Sequence, residues 1–306
     1  MKSLLRLLTL LLLLGLTSPL FAQDATPPKN DEIVSRLIKL HSGITLNYVV
    51  QGAADGPVIV LLHGAGDSWH SYQRVLPLLP ANYRVYAVTL RGHGLSDHPA
   101  TGFSRADFAG DILDLLEQLN IHHATLVGHS LGSFVAQSVA EQDQGRHIDR
   151  LVLIGSAPGI PTDPQVRQAI HSEFNALHDP TDYTFARDFQ ASTIVGPVPA
   201  WFFEVMVGEA QRAPAATWHG LAATLTHNEP PGALAKIRIP TLIFWGDKDS
   251  IFNRSEQDAL VKAIAGAQLI VYPGTGHALH WEQPEKFAQD LLAFIAAHPS
   301  TANAAH

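Results

Sequence analysis

Ala124-Thr125-Leu126-Val127-Gly128-His129-Ser130-Leu131-Gly132 reads as a short apolar strand that runs into a glycine-flanked serine and then into a helical pattern over Leu131 to Gln142. A serine on so tight a strand-to-helix turn is held in a strained conformation with its hydroxyl exposed. The flanking residues must be glycine so that strand and helix can approach without a side-chain clash. Ser130 as a plain helix N-cap is the competing reading, but the strand-turn-helix setting favours a nucleophile.

A serine hydroxyl is a poor nucleophile at neutral pH and needs a base within hydrogen-bond reach, oriented in turn by a carboxylate. Two later loops supply both. Pro240 to Trp245 is a strand pattern followed by Gly246-Asp247-Lys248-Asp249, and Ala267 to Tyr272 is another, followed by Pro273-Gly274-Thr275-Gly276-His277. Both loops follow strand C-terminal ends, where an open parallel sheet gathers its ligand-handling residues. Asp249 is favoured over Asp247 because the loop must travel beyond the strand before a carboxylate can reach the base, while a residue nearer the strand more often caps the turn. Among 17 histidines, His277 stands out by position. Its nearest rival, His280, falls outside the glycine-bounded loop.

The anionic tetrahedral intermediate needs fixed donors. The backbone N–H of Leu131, first in its helix, is one candidate. The other belongs to the loop His63-Gly64-Ala65-Gly66-Asp67-Ser68-Trp69 after the apolar run Pro57 to Leu62, with Ala65 N–H nominated and Gly66 the near alternative. In a further loop, Arg91-Gly92-His93-Gly94-Leu95-Ser96-Asp97, turn-shaping glycines and polar ties between loops are a better account than a substrate contact.

Around these motifs, strand and helix patterns alternate. Arg36–Leu40 and Ile44–Val50 form a hairpin pattern. A helical stretch near Tyr72 to Leu79, a strand over Tyr83 to Leu90, a helix over Arg105 to Leu119 and a strand over Leu151 to Ile154 surround the serine turn. Helices near Glu256 to Ile264 and over Glu285 to Ala297 complete the series. Such alternation predicts an α/β fold with a mostly parallel sheet covered on both faces. It stops between Ser156 and Pro231, a proline- and aromatic-rich segment read as a helical insertion over the sheet. The expected division is a core over 34–156 and 234–298, a cap over 157–233 and a flexible tail over 299–306. Phe202, Phe203, Met206 and Trp218 suggest an apolar pocket, though most of them suit the cap's own core better.

Lys2 and Arg6 before the apolar run Leu7 to Leu16, then Ser18-Pro19-Leu20-Phe21-Ala22-Gln23, have the shape of a signal peptide over 1–22, cut after Ala22 or, alternatively, after Ala25. The run is shorter than the roughly 20 apolar residues of a spanning helix. A periplasmic or secreted protein with no stable membrane span after leader removal is expected, with a linker over 23–33. A net charge of -8 without a basic run gives no support to nucleic-acid binding. The absence of cysteine removes a thiolate nucleophile, disulfides and a cysteine metal site, and no H-x-x-x-H or carboxylate cluster suggests another metal.

From about Leu46 to Ala296 the chain resembles the α/β-hydrolase family. His63-Gly64, Arg91-Gly92-His93-Gly94 with Ser96, the turn around Ser130, Gly246 with Asp249, and Gly276-His277 occur in the family's order. The resemblance implies eight strands, a cap inserted after the sixth, no cofactor, and Ser130, Asp249 and His277 as triad. Branches acting on haloalkanes or epoxides place an aspartate where this chain has Ser130. The branches with serine include carboxylesterases, lactonases, carbon–carbon bond hydrolases, prolyl aminopeptidases, and haloperoxidases or perhydrolases. A covered cleft argues against polymers, so a small or medium apolar ester is the favoured substrate. The rival class is a ligand-binding protein on the same fold.

Overall fold

A computed structural model describes residues 21–22, 33–143, 145–226 and 233–300. The expected leader and linker lie outside these residues except for Phe21–Ala22, which pairs in parallel with Val198–Pro199, and Ile33. The expected tail lies outside them beyond Ser300.

Eight strands form one sheet: β1 Val34–Lys39, β2 Thr45–Gln51, β3 Val58–Leu62, β4 Arg84–Val88, β5 Ala124–His129, β6 Ile148–Ile154, β7 Thr241–Gly246 and β8 Gln268–Tyr272. Their spatial order is β8-β7-β6-β5-β3-β4-β2-β1. The β1–β2 and β2–β4 pairs are antiparallel, and every other neighbouring pair is parallel. The unbroken apolar run of β3 follows from its central place, since Ile59 to Leu62 are all fully buried. Side chains still alternate between faces. Val60, Leu62, Leu126, Leu151 and Leu153 join the core under helices α1 (Arg105–Gln118) and α2 (Leu131–Asp143). Ile59, Leu61, Val127 and Val152 join the opposite core, with Phe287, Leu291 and Phe294 of the last helix, α9 (Pro284–Ala297). Burying each such side chain contributes about 1.5–3 kcal/mol.

The helix expected near Tyr72 to Leu79 is replaced by two single 3₁₀ turns, Trp69–Tyr72 and Leu76–Leu78. Pro77 has no N–H for the bond an α-helix from Tyr72 would require, so the chain settles for short tight turns.

Between β6 and β7 stand four helices: α3 Pro164–Asn175, α4 Tyr183–Ser192, α5 Ala200–Arg212 and α6 Ala215–Thr226. They sit over the loops at the strand C-terminal ends. Gln190 Nε2 donates to Asp67 Oδ1 (3.1 Å), Thr217 Oγ1 to the Gly92 carbonyl (3.1 Å), and Ala278 N to the Thr193 carbonyl (2.8 Å). Phe202, Phe203, Met206 and Trp218 are completely buried. Trp218 packs edge-on against Phe174, Phe185 and Phe189 at centroid distances of 4.8, 5.1 and 5.1 Å. After β7 come α7 (Arg254–Ala263), a one-turn helix α8 (Leu279–Glu282) that no apolar spacing in the sequence announces, and α9.

Candidate active site

Ser130 occupies the turn between β5 and α2 with φ of 51°, a left-handed conformation that costs a non-glycine residue on the order of 1–3 kcal/mol. Its surroundings enforce that conformation. Ser130 N donates to the Ile154 carbonyl of β6 (3.0 Å), and Ser133 Oγ donates to the Ser130 carbonyl (2.6 Å). The glycines permit the crossing. A Cβ on Gly128 would lie 2.2 Å from the Gly132 carbonyl oxygen, and one on Gly132 would lie 2.5 Å from that of Leu62.

Past the end of β8, His277 Nδ1 lies 2.9 Å from Asp249 Oδ2, past the end of β7, and both side chains are almost fully buried. The other carboxylate oxygen, Asp249 Oδ1, accepts the N–H groups of Ile251 (2.8 Å) and Phe252 (3.0 Å). The aspartate is thereby fixed in the orientation that meets the imidazole. His277 Nε2 is buried and makes no hydrogen bond among the described residues. Ser130 and His277 border one small chamber, together with Gly64 and Ala65.

The rivals are engaged elsewhere. Asp247 Oδ1 accepts Gly274 N at 2.7 Å and so joins the β7 and β8 loops. His280 Nε2 lies 3.2 Å from Ser71 Oγ. The amides of Ala65 and Leu131 have no protein acceptor among the described residues, and each residue adjoins the serine turn, Leu131 by sequence and Ala65 as a neighbour of Ser130 in the wall of two cavities.

The remaining motif residues build the loops. Arg91 makes a two-pronged ion pair with Asp111 (2.5 and 2.5 Å) and donates to the Gly102 carbonyl at 2.8 Å. His63 Nε2 accepts Leu90 N at 2.9 Å, and His93 Nδ1 lies 2.8 Å from the Arg91 carbonyl oxygen.

Three side chains carry more of the site than the sequence indicated. Asp67 is buried beneath the Ala65 loop, where burial pushes its carboxyl up to about 6 against hydrogen bonds from Gln190, Ser71 and Gly64. Next to it, burial holds His129 and His280 well below the ordinary histidine range. The 3.8 Å approach of His129 to Asp67 is therefore a contact with a neutral ring. Gln190 reaches Asp67 from the cap helix α4. Glu282 accepts N–H groups from Gly276 (2.7 Å), Gly196 (2.5 Å) and Val195 (3.2 Å), so that one carboxylate joins the His277 loop to the cap. Gly276-His277 marked that loop in the sequence, but nothing in the sequence marked its partner.

Above Ser130 opens a cavity of ≈ 620 Å³, lined by Pro161, Val166, Ile170, Phe174, Phe189, Leu225, Ile251 and Phe252, among others. Its size lies within the usual range of about 300–1,000 Å³ for small-molecule sites. Asp163 and Glu173 also line it, while no Lys or Arg does. Among the described residues no group of three or more His, Asp or Glu is placed to hold a metal, and no helix is long and apolar enough to cross a membrane.

The chain is similar to known proteins. The chain is 31% identical over 262 residues to a non-heme haloperoxidase from Rhodococcus erythropolis, covering 78% of this chain and 92% of that one. It is 28% identical over 274 residues to a bifunctional esterase/perhydrolase from Acinetobacter calcoaceticus, covering 83% and 96%. An esterase structure from Exiguobacterium antarcticum superposes with a TM-score of 0.78 at 24% identity, covering 86% of this chain and all of that one. The model of the alpha/beta hydrolase family matches residues 59–290, from β3 through the serine turn and the Asp249 and His277 loops into α9. The chain belongs to the alpha/beta hydrolase family.

Proposed function

We propose that the protein is an exported serine hydrolase acting on small or medium neutral carboxylic esters, with Ser130 as nucleophile, His277 as base and Asp249 as its orienting carboxylate. The observation that carries this reading is the buried Asp249–His277 pair at 2.9 Å, with Nε2 unpartnered among the described residues and His277 lining one chamber with a serine held at φ 51°. Ser130 Oγ attacks the carbonyl carbon as its proton passes to His277 Nε2, and Asp249 stabilises the imidazolium through Nδ1–H. The N–H groups of Ala65 and Leu131 receive the charge on the tetrahedral oxygen. Collapse expels the alcohol, protonated by His277, and leaves an acyl group on Ser130 that water then releases.

The apolar cavity supports an alkyl or aryl substrate. Asp163 and Glu173 among its lining residues disfavour substrates that carry a free carboxylate or phosphate. The leader-like sequence over 1–22 supports export. A fluorophosphonate probe and p-nitrophenyl esters from acetate to palmitate test the reading. Labelling and hydrolysis should both occur and both vanish in Ser130→Ala; a variant retaining near-wild-type turnover overturns it. N-terminal sequencing of the protein recovered outside the cytoplasm should begin at Gln23.

The likeness to an esterase/perhydrolase and a haloperoxidase favours one second reading, in which hydrogen peroxide replaces water on the same acyl-enzyme and yields a peracid. Product analysis with acetate and hydrogen peroxide separates the two.

A further inference from the structure

Beside the large cavity lies a chamber of ≈ 20 Å³ bounded by Ser130, His277, Asp67, His129 and Gln190, among others. A water molecule needs at least about 10–15 Å³ of such space and two to four polar partners. The chamber therefore admits a single guest of that size and no longer chain. Two residues of its lining carry open partners: Gln190 Oε1 and His277 Nε2 are buried atoms with no hydrogen bond among the described residues. Gln190 is fully buried and His129 is 2% exposed.

Gln190 is held in one orientation. Its Nε2 donates to Asp67 Oδ1 (3.1 Å) and to the Met206 carbonyl (3.3 Å), which leaves Oε1 as the open acceptor. Asp67 is fixed in turn by Ser71 Oγ (3.2 Å) and Gly64 N (3.3 Å). An open acceptor and the proposed base thus belong to residues that line one chamber with the proposed nucleophile.

Resting on the acyl-enzyme reading above, we propose that this chamber is the acceptor subsite. It seats one small O–H nucleophile, water or a guest of similar size such as hydrogen peroxide or methanol, and Gln190 sets which of them takes the acyl group. The guest oxygen attacks the acyl carbon while its proton moves to His277 Nε2. The bond from that carbon to Ser130 Oγ then breaks, and the proton passes from His277 to Oγ. The released product is an acid, a peracid or a methyl ester according to the guest. Gln190 Oε1 takes water's second hydrogen, which methanol lacks, so an apolar side chain at this position penalises water more than methanol.

The test is partition of the butyryl-enzyme. Wild type, Gln190→Met and Gln190→Leu are given p-nitrophenyl butyrate in aqueous methanol, and methyl butyrate and butyric acid are quantified by gas chromatography. The methyl ester to acid ratio should rise at least fivefold in both variants, and by the same factor with phenyl butyrate, because partition follows acylation. A ratio within twofold of wild type while ester is still consumed overturns the proposal. Should neither variant consume ester, Gln190→Asn, which withdraws the amide without removing it, gives the same ratio to be held against the same limits. A wild-type protein that takes no fluorophosphonate at Ser130 overturns the ester-hydrolase reading and this proposal together, whereas an intact acyl-enzyme with an unmoved ratio overturns the acceptor subsite alone.

Discussion

Asp247 and Asp249 stand two residues apart and do different things. Asp247 ties Gly274 to the β7 loop, while Asp249 places one oxygen on two backbone amides and the other on His277. Asp249→Asn should lower kcat about 10⁴-fold by stabilising the wrong imidazole tautomer, whereas Asp247→Asn should leave kcat within about threefold; equal losses in the two variants would contradict the assignment. The serine turn makes a different demand. A methyl group on Gly132 meets the carbonyl oxygens of Leu62 and His63 at 2.5 and 2.6 Å. Since both are backbone atoms, Gly132→Ala must shift α2 against β3, at a cost of about 1–3 kcal/mol. Thermal unfolding should show a matching fall in Tm. These residues were legible because each obeys a local rule: glycines at a crossing, a carboxylate beyond a strand, a histidine in a glycine-bounded loop.

At the scale of elements, the strands were legible because apolar runs such as Val58–Leu62 have few alternatives to burial on both faces. The segment over Tyr72 to Leu79 misled because its apolar spacing suits a helix while Pro77 forbids one. Gln190, Asp67 and Glu282 were harder to foresee. Their roles depend on hydrogen bonds across 123 residues for Gln190–Asp67 and 86 for Glu282–Gly196, and no local pattern encodes such pairings. The aromatic residues that suggest a pocket in the sequence illustrate the same limit: Phe202, Phe203, Met206 and Trp218 are buried in the core, and the cavity wall comes from α3, from Phe189 and Ser192 of α4, from Leu225 of α6 and from neighbouring loops. Ala169 and Ile170 of α3 line that wall. Ala169→Phe should therefore shift the preferred p-nitrophenyl ester toward shorter acyl chains, with kcat/KM for the longest accepted chain falling about tenfold; an unchanged chain-length profile would place the acyl group elsewhere. Glu282→Ala removes three hydrogen bonds at once. It should lower kcat about tenfold with a smaller change in KM, because the His277 loop loses its tie to the cap.

For the whole molecule, acid is the weak side. Burial holds His93 at about 4, so the native state binds fewer protons than the unfolded chain between that value and the ordinary 6.5. Stability from His93 is complete above pH 6.5 and falls by about 3 kcal/mol as the pH drops to 4. His63, His129 and His280 are shifted in the same direction by burial. Asp67, raised to about 6, runs the other way and gains stability on acidification, as do Asp111, Glu141 and Glu282, which burial also raises but by less. The Tm should fall by several degrees between pH 7 and pH 5, as read by calorimetry, and a rise would mean that the carboxylates dominate.

The tie made by Glu282 has a consequence for the cap. The amides it holds belong partly to the His277 loop and partly to Val195-Gly196 of the cap. Displacing this side of the cap breaks two of the three hydrogen bonds and leaves the His277 loop without its tie. The position of the His277 loop and the seating of Val195-Gly196 are thus set by one carboxylate, so neither can shift without loosening the other.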